Sequence, residues 1–463
     1  MATGTAGSGA TDPGPTGPVG TIPAGADNRI VARGFTGSWA ELGTYDLPPA
    51  AAVFVHDHAE AARTVWTHAT TARETLVASV TRAEEGLLAD LRDSGLAIAR
   101  TAGERVELET ATADTDAAEA PGAPTPGHVP AADRIPGADH HSGADPHPGP
   151  GRPAEPGRLW LLTSGSTGRP KRVAHTLDSL TTVTGEQPAR TWLCPYTPGA
   201  YAWWQLVTLS LAHPGTHLVF LEPDQLDEWP QFALAHGVTA ASGTPTFWRR
   251  ALVRSGDTMA RLALEQITLG GEPVDQAVLD RLRAVYPAAR ISWIYASSEA
   301  GASIAVHDGR AGFPVEWLDR HTDGRPALSV VDDELVIASP FRAAGMDPDL
   351  HTGDRVEIRA GRVLIVGRLA TDEINVGGAK ASVSAVRTVL LEHPAVAWAA
   401  VRGRRAPIVG QMVTAEVVLS PGAVTTTEEL AAWCAARLPE YAVPRRLKIL
   451  PEIPIKESLK SDV

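Results

Sequence analysis

Residues 163–171 read Thr-Ser-Gly-Ser-Thr-Gly-Arg-Pro-Lys and directly follow the apolar run Leu-Trp-Leu-Leu at 159–162. The two glycines, Gly165 and Gly168, let backbone N–H groups close on an anion. Thr163, Ser164, Ser166 and Thr167 add hydroxyl donors, and Lys171 adds charge. An apolar strand running into such a loop is a phosphate cradle; the plain alternative is a Ser/Gly linker between two strands. It is not a Walker loop, which needs G-x-x-x-x-G-K-[ST]. Counting from Gly165, the second glycine would fall on Pro170, and Lys171 is followed by Arg172.

The chain has 463 residues, which predicts two or three domains. Its 43% hydrophobic and 21% charged residues are those of a soluble globular protein. A net charge of −13 argues against a nucleic-acid partner, and the short basic runs at 402–405 and 445–448 read as solvated surface. Two cysteines, Cys194 and Cys434, far apart in sequence, read as free thiols of a reducing cytoplasm. No signal peptide and no apolar run of roughly 18 residues are visible, so a cytoplasmic protein off the membrane is expected.

Residues 1–27 read as a disordered low-complexity tail. Helical patterns are expected at 59–70 and 74–96. Residues 111–157, dense in Pro, Gly, Ala, Asp and His, read as an exposed insertion. Its His128, His140, His141 and His147 lack the cysteines or tight carboxylate spacing of a metal site. From 158 onward strands and helices alternate: strands at 158–162, 191–196, 217–221, 238–242, 266–269 and 290–295, helices after the loop to 180 and at 201–212, 226–236, 245–255 and 274–285. Such βαβα repetition predicts a parallel sheet with ligands at the carboxyl ends of its strands, so the Thr163 loop, Gly270–Glu272 and Tyr295–Glu299, each following a strand, should share one rim. Beyond 325 come short strands, with Asp332-Asp333 as a hairpin turn. A small α+β unit follows, with helices at 383–391 and 428–438 and strands at 396–401 and 413–419. Thr425-x-x-Glu428 and Thr426-x-x-Glu429 offer rival capping boxes for its last helix.

Six segments stand in order: 163–171; Gly270-Gly271-Glu272; Tyr295-Ala296-Ser297-Ser298-Glu299; Thr352-Gly353-Asp354; Gly367-Arg368 with Asp372 and Gly377-Gly378-Ala379-Lys380; and Lys460. Over 158–463 this set resembles the adenylate-forming superfamily of acyl- and aryl-CoA synthetases, peptide-synthetase adenylation domains and luciferases. The resemblance implies an α/β fold: a large N-terminal domain (28–367) with parallel α/β sheets and a small β subdomain, and a mobile α+β C-terminal lid (368–463). It also implies an AMP-forming ligase that places an acid oxygen on the α-phosphorus of ATP with loss of pyrophosphate.

By that resemblance Thr163, Ser164, Gly165, Ser166, Thr167, Gly168 and Lys171 hold the outer phosphates. Tyr295 stacks on adenine, with Gly270, Gly271, Glu272, Ala296 and Ser297 around it. Ser298 meets the α-phosphate, Glu299 binds Mg2+ and Asp354 takes the ribose hydroxyls. Arg368 contacts ribose or phosphate, and Asp372 marks the hinge. Lys460 is the adenylating lysine, with Lys456 as its rival; the family has glycine where this chain has Leu459. The acid is expected against Tyr201, Trp203, Trp204, Gly243, Leu269 and Gly301, with Thr244, Ala296 and Ser303 as further walls. Three aromatics suggest a small aromatic or apolar acid. The acceptor is a thiol, coenzyme A or the phosphopantetheine of a carrier protein, with the loop Gly377-Gly378-Ala379-Lys380 lining its tunnel. No carrier domain follows, which reads as a free-standing enzyme, monomer or homodimer, of secondary metabolism. Open beside this stand transfer to an amine, activation of nitrite to diazotise an aryl amine, and a non-catalytic adenylate binder.

Overall fold

The computed structural model describes residues 22–109, 152–163, 170–406, 410–456 and 458–461. Two sheets, each parallel at its centre and antiparallel at both edges, form the large part. The eight-stranded sheet runs Gly301–Val306, Arg290–Ser297, Gln266–Gly270, Ala240–Gly243, Arg190–Cys194, Thr216–Phe220, Arg29–Ala32, Phe35–Ser38. The six-stranded sheet runs Arg105–Leu108, Ala97–Ala102, Ala50–Val55, Glu74–Ser79, Leu159–Thr163, Lys171–His175. In the second sheet Ala51, Val53 and Val55 face a core shared with helix His58–Thr71, while Ala52 and Phe54 face helix Glu85–Asp93. Burial on both faces explains why these strands read as unbroken apolar runs rather than alternating ones.

Two expectations are corrected here. Residues 74–96 are not one helix: Glu74–Ser79 is a strand paired parallel to Ala50–Val55, and only Glu85–Asp93 is helical. Leu76 and Val80 happen to continue the helical spacing of Leu87, Leu88 and Leu91, and a strand buried on both faces offers no alternation to contradict it. Nor does the 163–171 loop lead into a helix. It joins two antiparallel strands, with Thr163 opposite Lys171, and only the single turn Leu177–Leu180 is helical beyond it.

A five-stranded antiparallel sheet follows, in the order Phe313–Pro314, Arg362–Arg368, Asp349–Arg359, Glu334–Ala338, Ala327–Val331. Its hairpin turns at Asp332 (φ 50°) and Asp333 (φ 64°), the left-handed pair that a two-residue hairpin requires. The C-terminal unit holds Ala379–Ser382, Glu373–Val376, Gly410–Leu419 and Val396–Ala406, with Arg446–Ile449 added parallel to Gly410–Leu419. Helices Val383–Leu391 and Thr427–Ala435 cover one face around Val386, Leu390, Val401, Val417 and Leu430. Thr426 wins the cap: its side chain accepts from Glu429 N at 3.1 Å, and Glu429 returns a bond to Thr426 N at 3.0 Å.

The other face of that sheet, with Trp398, Ala400, Val418 and Ile453, packs toward Val253 of the large part. Arg281 crosses the same boundary to Val396 O at 2.8 Å and Ser420 Oγ at 2.9 Å. Cys194 and Cys434 are buried free thiols. Among the described residues no helix is long and apolar enough to cross a membrane.

Candidate active site

The sequence motifs come from different sheets. Thr163 ends a strand of the six-stranded sheet, whereas Gly270 and Tyr295 lie in strands of the eight-stranded one. One rim does not hold them all; a side chain joins the two. His175, the last residue of the strand after the loop, donates from Nε2 to Ser298 O at 2.7 Å. Its other ring nitrogen sits 3.0 Å from Ser179 Oγ. Burial holds the imidazole below its usual pKa. The carbonyl partner requires the ring proton on Nε2. Nothing in the sequence singles out His175.

Strand Arg290–Ser297 continues past Tyr295, and its pairing with Gly301–Val306 slips between Tyr295 and Ala296. A bulge of this kind re-aims the residues after it. Here it delivers Ser297, Ser298 and Glu299 into a tight turn closed by Ala300 N donating to Ser297 Oγ at 2.9 Å. Gly301 ends that turn at φ 77°, and a Cβ there would lie 2.6 Å from Phe341 O. Only glycine fits the position. Glu299 is half-buried, and among the described residues no ion pair holds its carboxylate.

Asp354 gathers the nucleotide motifs. Its carboxylate accepts from Tyr295 Oη at 2.6 Å and pairs with Arg368 Nε at 3.0 Å. Arg368 also donates to Thr352 O at 2.7 Å. Desolvation raises the Asp354 pKa despite these partners, and burial first, then the nearby carboxylate, raises that of Tyr295. The phenol therefore stays a donor, and its bond fixes the ring plane.

Gly271 (φ 81°) stands beside Lys460: a Cβ on the glycine would be 3.4 Å from Lys460 Cε and 3.9 Å from Nζ. Lys460 keeps a solvent-exposed face, yet surrounding protein partly desolvates its ammonium and lowers its pKa. Glu272 and Asp354 oppose that shift, while Arg368 adds to it. Lys456 is exposed, and its N–H donates to Lys460 O at 2.9 Å, closing the turn that carries the lysine. The Glu272 carboxylate is engaged within the protein: Thr246 N donates to it at 2.9 Å and Ser461 N at 3.0 Å.

Asp372, 4% exposed, accepts from Ser384 N at 2.8 Å and Ser382 Oγ at 2.9 Å, and Arg355 approaches it at 3.4 Å. It thus ties the third sheet to the C-terminal unit. Lys380 lies in the following hairpin, paired with Glu373 at 2.7 Å. Lys171 is exposed and Thr163 nearly buried at 9%. Ser164, Gly165, Ser166, Thr167 and Gly168 lie outside the described residues, as do His128, His140, His141 and His147.

The expected acid walls are corrected most. Trp203, Trp204 and Leu269 are each 0% exposed and belong to the main core. The two indoles meet edge to face at 5.1 Å, and Trp203 leans on Phe220 at 6.2 Å. Helix Tyr201–Ala212 is buried on nearly every side, so both indoles belong to the core. The space beside Gly243 is filled by the Phe247 ring. Tyr201, half-buried, retains accessible surface at the start of the helix. Thr244, expected as a wall, instead caps helix Pro245–Arg254 and donates to Leu459 O.

Two parallel-centred sheets, an antiparallel subdomain and a C-terminal unit that brings a lysine beside Gly271 define an adenylate-forming architecture. The chain belongs to the AMP-binding enzyme family: the model of that family matches residues 45–340, and that of the AMP-binding enzyme C-terminal domain matches 386–460. It is similar to a 4-chlorobenzoate–CoA ligase of Pseudomonas sp. strain CBS-3, at 29% identity over 56% of this chain and 53% of the relative. It is also similar to a salicylyl-CoA synthase/salicylate adenylyltransferase of Streptomyces sp., at 25% identity over 66% of this chain and 61% of the relative. The chain thus spans about half the length of the first of these relatives. Among solved structures, an anthranilate CoA ligase in complex with anthranoyl-AMP shares the fold at TM-score 0.64 and 14% identity, covering 95% of this chain and 93% of that one. An amide bond synthetase from Marinactinospora thermotolerans does so at TM-score 0.61 and 20% identity, covering 94% and 95%.

Proposed function

We propose that this protein activates a small aromatic or apolar carboxylic acid with ATP and transfers the acyl group to a thiol. The observation that carries the reading is Lys460 of the C-terminal unit beside Gly271 and within electrostatic reach of Asp354 and Arg368, which join Tyr295 in one cluster. Residues 28–367 act as the large domain and 368–463 as the lid, hinged at Asp372.

The residues fit the nucleotide. Gly270 pairs with Ile294, the residue before Tyr295, and lets the backbone approach a flat base, and Asp354 has acceptor capacity for ribose hydroxyls. Thr163 and Lys171 flank the loop that takes the outer phosphates. A carboxylate oxygen of the acid attacks the α-phosphorus; the bond to the bridging oxygen breaks, and pyrophosphate leaves with that electron pair. Lys460 supplies a positive charge where negative charge grows, a term that preorganised donors deliver without reorganisation. Ser298, set by the bulge and by His175, presents its hydroxyl to the α-phosphate. Glu299, unpaired among the described residues, has the hard oxygen donors Mg2+ prefers, and the ion would neutralise phosphate charge. The thiolate of coenzyme A or of a carrier-protein phosphopantetheine, entering by the 377–380 loop, then attacks the acyl carbon; the bond from that carbon to the phosphate oxygen breaks, and AMP leaves with that electron pair.

A small acid follows from the filled walls: Trp203, Trp204 and Leu269 are core, and Phe247 occupies the flank of Gly243. The relatives named for 4-chlorobenzoate and salicylate support an aryl acid. The test is a panel of aryl, short-chain and dicarboxylic acids with ATP and Mg2+, scored by AMP and pyrophosphate. Coenzyme A, an amine, and nitrite with an aryl amine serve as separate acceptor or substrate arms. Pyrophosphate release with an aryl acid and thioester with coenzyme A support the reading. Product only in the amine or nitrite arm redirects it, and no acid-dependent release in any arm sinks it.

A further inference from the structure

Lys460 is held by its neighbours in the chain. Leu459 has φ 61°, a left-handed conformation that leucine adopts reluctantly and glycine freely. Its side chain is 2% exposed and joins the core of the large domain, and its carbonyl accepts from Thr244 Oγ1. Ser461, 8% exposed, donates its N–H to Glu272 Oε1 at 3.0 Å. Its Oγ lies 2.9 Å from Thr246 Oγ1 and accepts from Trp398 Nε1 at 3.2 Å. Leu459 N donates to Lys456 O, and Lys456 N to Lys460 O, both at 2.9 Å. Thr244, Thr246 and Glu272 belong to the large domain, and Trp398 to the small one.

We propose that Leu459 and Ser461 are positioning residues: they clamp the tail across both domains and so fix Lys460 at the Gly271 edge of the cleft. A glycine at 459 would accept the backbone conformation without strain but would leave the tail without its apolar anchor. This chain takes the opposite solution. Burying a leucine side chain is worth a factor of roughly 10–100 in a docking equilibrium, against a left-handed backbone costing roughly tenfold or somewhat more. The anchor outweighs the strain. The inference rests on the reading of Lys460 as the adenylating residue, but the clamp itself has a readout that needs no activity.

The experiment measures hydrogen exchange of the C-terminal peptide and acid-dependent ATP–pyrophosphate exchange, in the full chain and in Leu459→Ala, Leu459→Gly, Leu459→Met and Ser461→Ala. In the wild type the Leu459 and Ser461 amides should be protected. Protection and exchange rate should fall together in the order Met, Gly, Ala at position 459, with Ala losing roughly tenfold or more, since it keeps the strain and loses the anchor. Ser461→Ala should lose roughly fivefold, the scale of one net hydrogen bond. The loss should appear in kcat with the KM for ATP unchanged, because the Tyr295–Asp354 grip is untouched; a general loss of structure would move both. Unprotected wild-type amides, or a Leu459→Gly variant at least as active as wild type, overturn the clamp. Protected amides in a protein that exchanges pyrophosphate with no acid support the clamp and sink the adenylation reading instead.

Discussion

Lys460→Ala tests the central residue assignment. Removing a preorganised charge from a transition state costs about 10²–10³ in rate, so acid-dependent pyrophosphate exchange should fall by that factor while the thermal unfolding curve stays put. An unchanged rate would transfer the role to Lys456. The sequence offers Tyr295, Ser298, Glu299, Asp354 and Lys460 as candidates because they stand in ordered motifs, and the structure bonds Tyr295 to Asp354 and sets Lys460 beside Gly271. What was not legible are the partners. Glu272 looks like an adenine neighbour beside Gly270 and Gly271, yet its carboxylate is taken by Thr246 and Ser461. His175 carries no motif, and only the meeting of two sheets brings it to Ser298.

At the scale of elements, helix Tyr201–Ala212 matches its expected bounds but not its expected job. Its aromatic run suggests a wall for the acid, yet Trp203 and Trp204 both lie in the core. Trp203→Ala and Trp204→Ala should each destabilise the protein by about 3–5 kcal/mol in denaturant titrations. A shift in acid preference without lost stability would restore them to the pocket. Helix His58–Thr71 carries a second test. Burial pulls the pKa of His68 from 6.5 down to about 4, so the folded state keeps the ring neutral. The unfolded state then binds the extra proton below pH 6.5. Stability should drop by about 1.4 kcal/mol per pH unit from there to about pH 4, about 3 kcal/mol in all. His68→Gln should flatten that limb of the stability–pH curve; an unchanged slope would show that other groups set it. The element misread, 74–96, failed because strands buried on both faces and helices share apolar density, and short runs do not separate the two periods.

At the scale of the molecule, the two domains meet beside a half-buried charge cluster. Asp275 caps helix Gln276–Val285, pairs with the fully buried Arg249, and feels Arg387 of the small domain; these cations hold its pKa low against burial. Asp275→Ala leaves those cations without their anion and should cost about 3–5 kcal/mol, read as a lower denaturation midpoint and earlier proteolytic release of the small domain. Retained stability and protease resistance would show the interface rests on Trp398 and its apolar neighbours instead. The sequence by itself determined the alternation of strands and helices, the split into a large and a small unit, and the order of the motifs, since each is written in neighbouring residues. Only the tertiary structure decided that two sheets rather than one carry those motifs, that the tryptophans are core, and that Leu459 and Ser461 hold the lysine. Burial and pairing at those places are sums over contacts between residues on different elements, which local periodicity does not record.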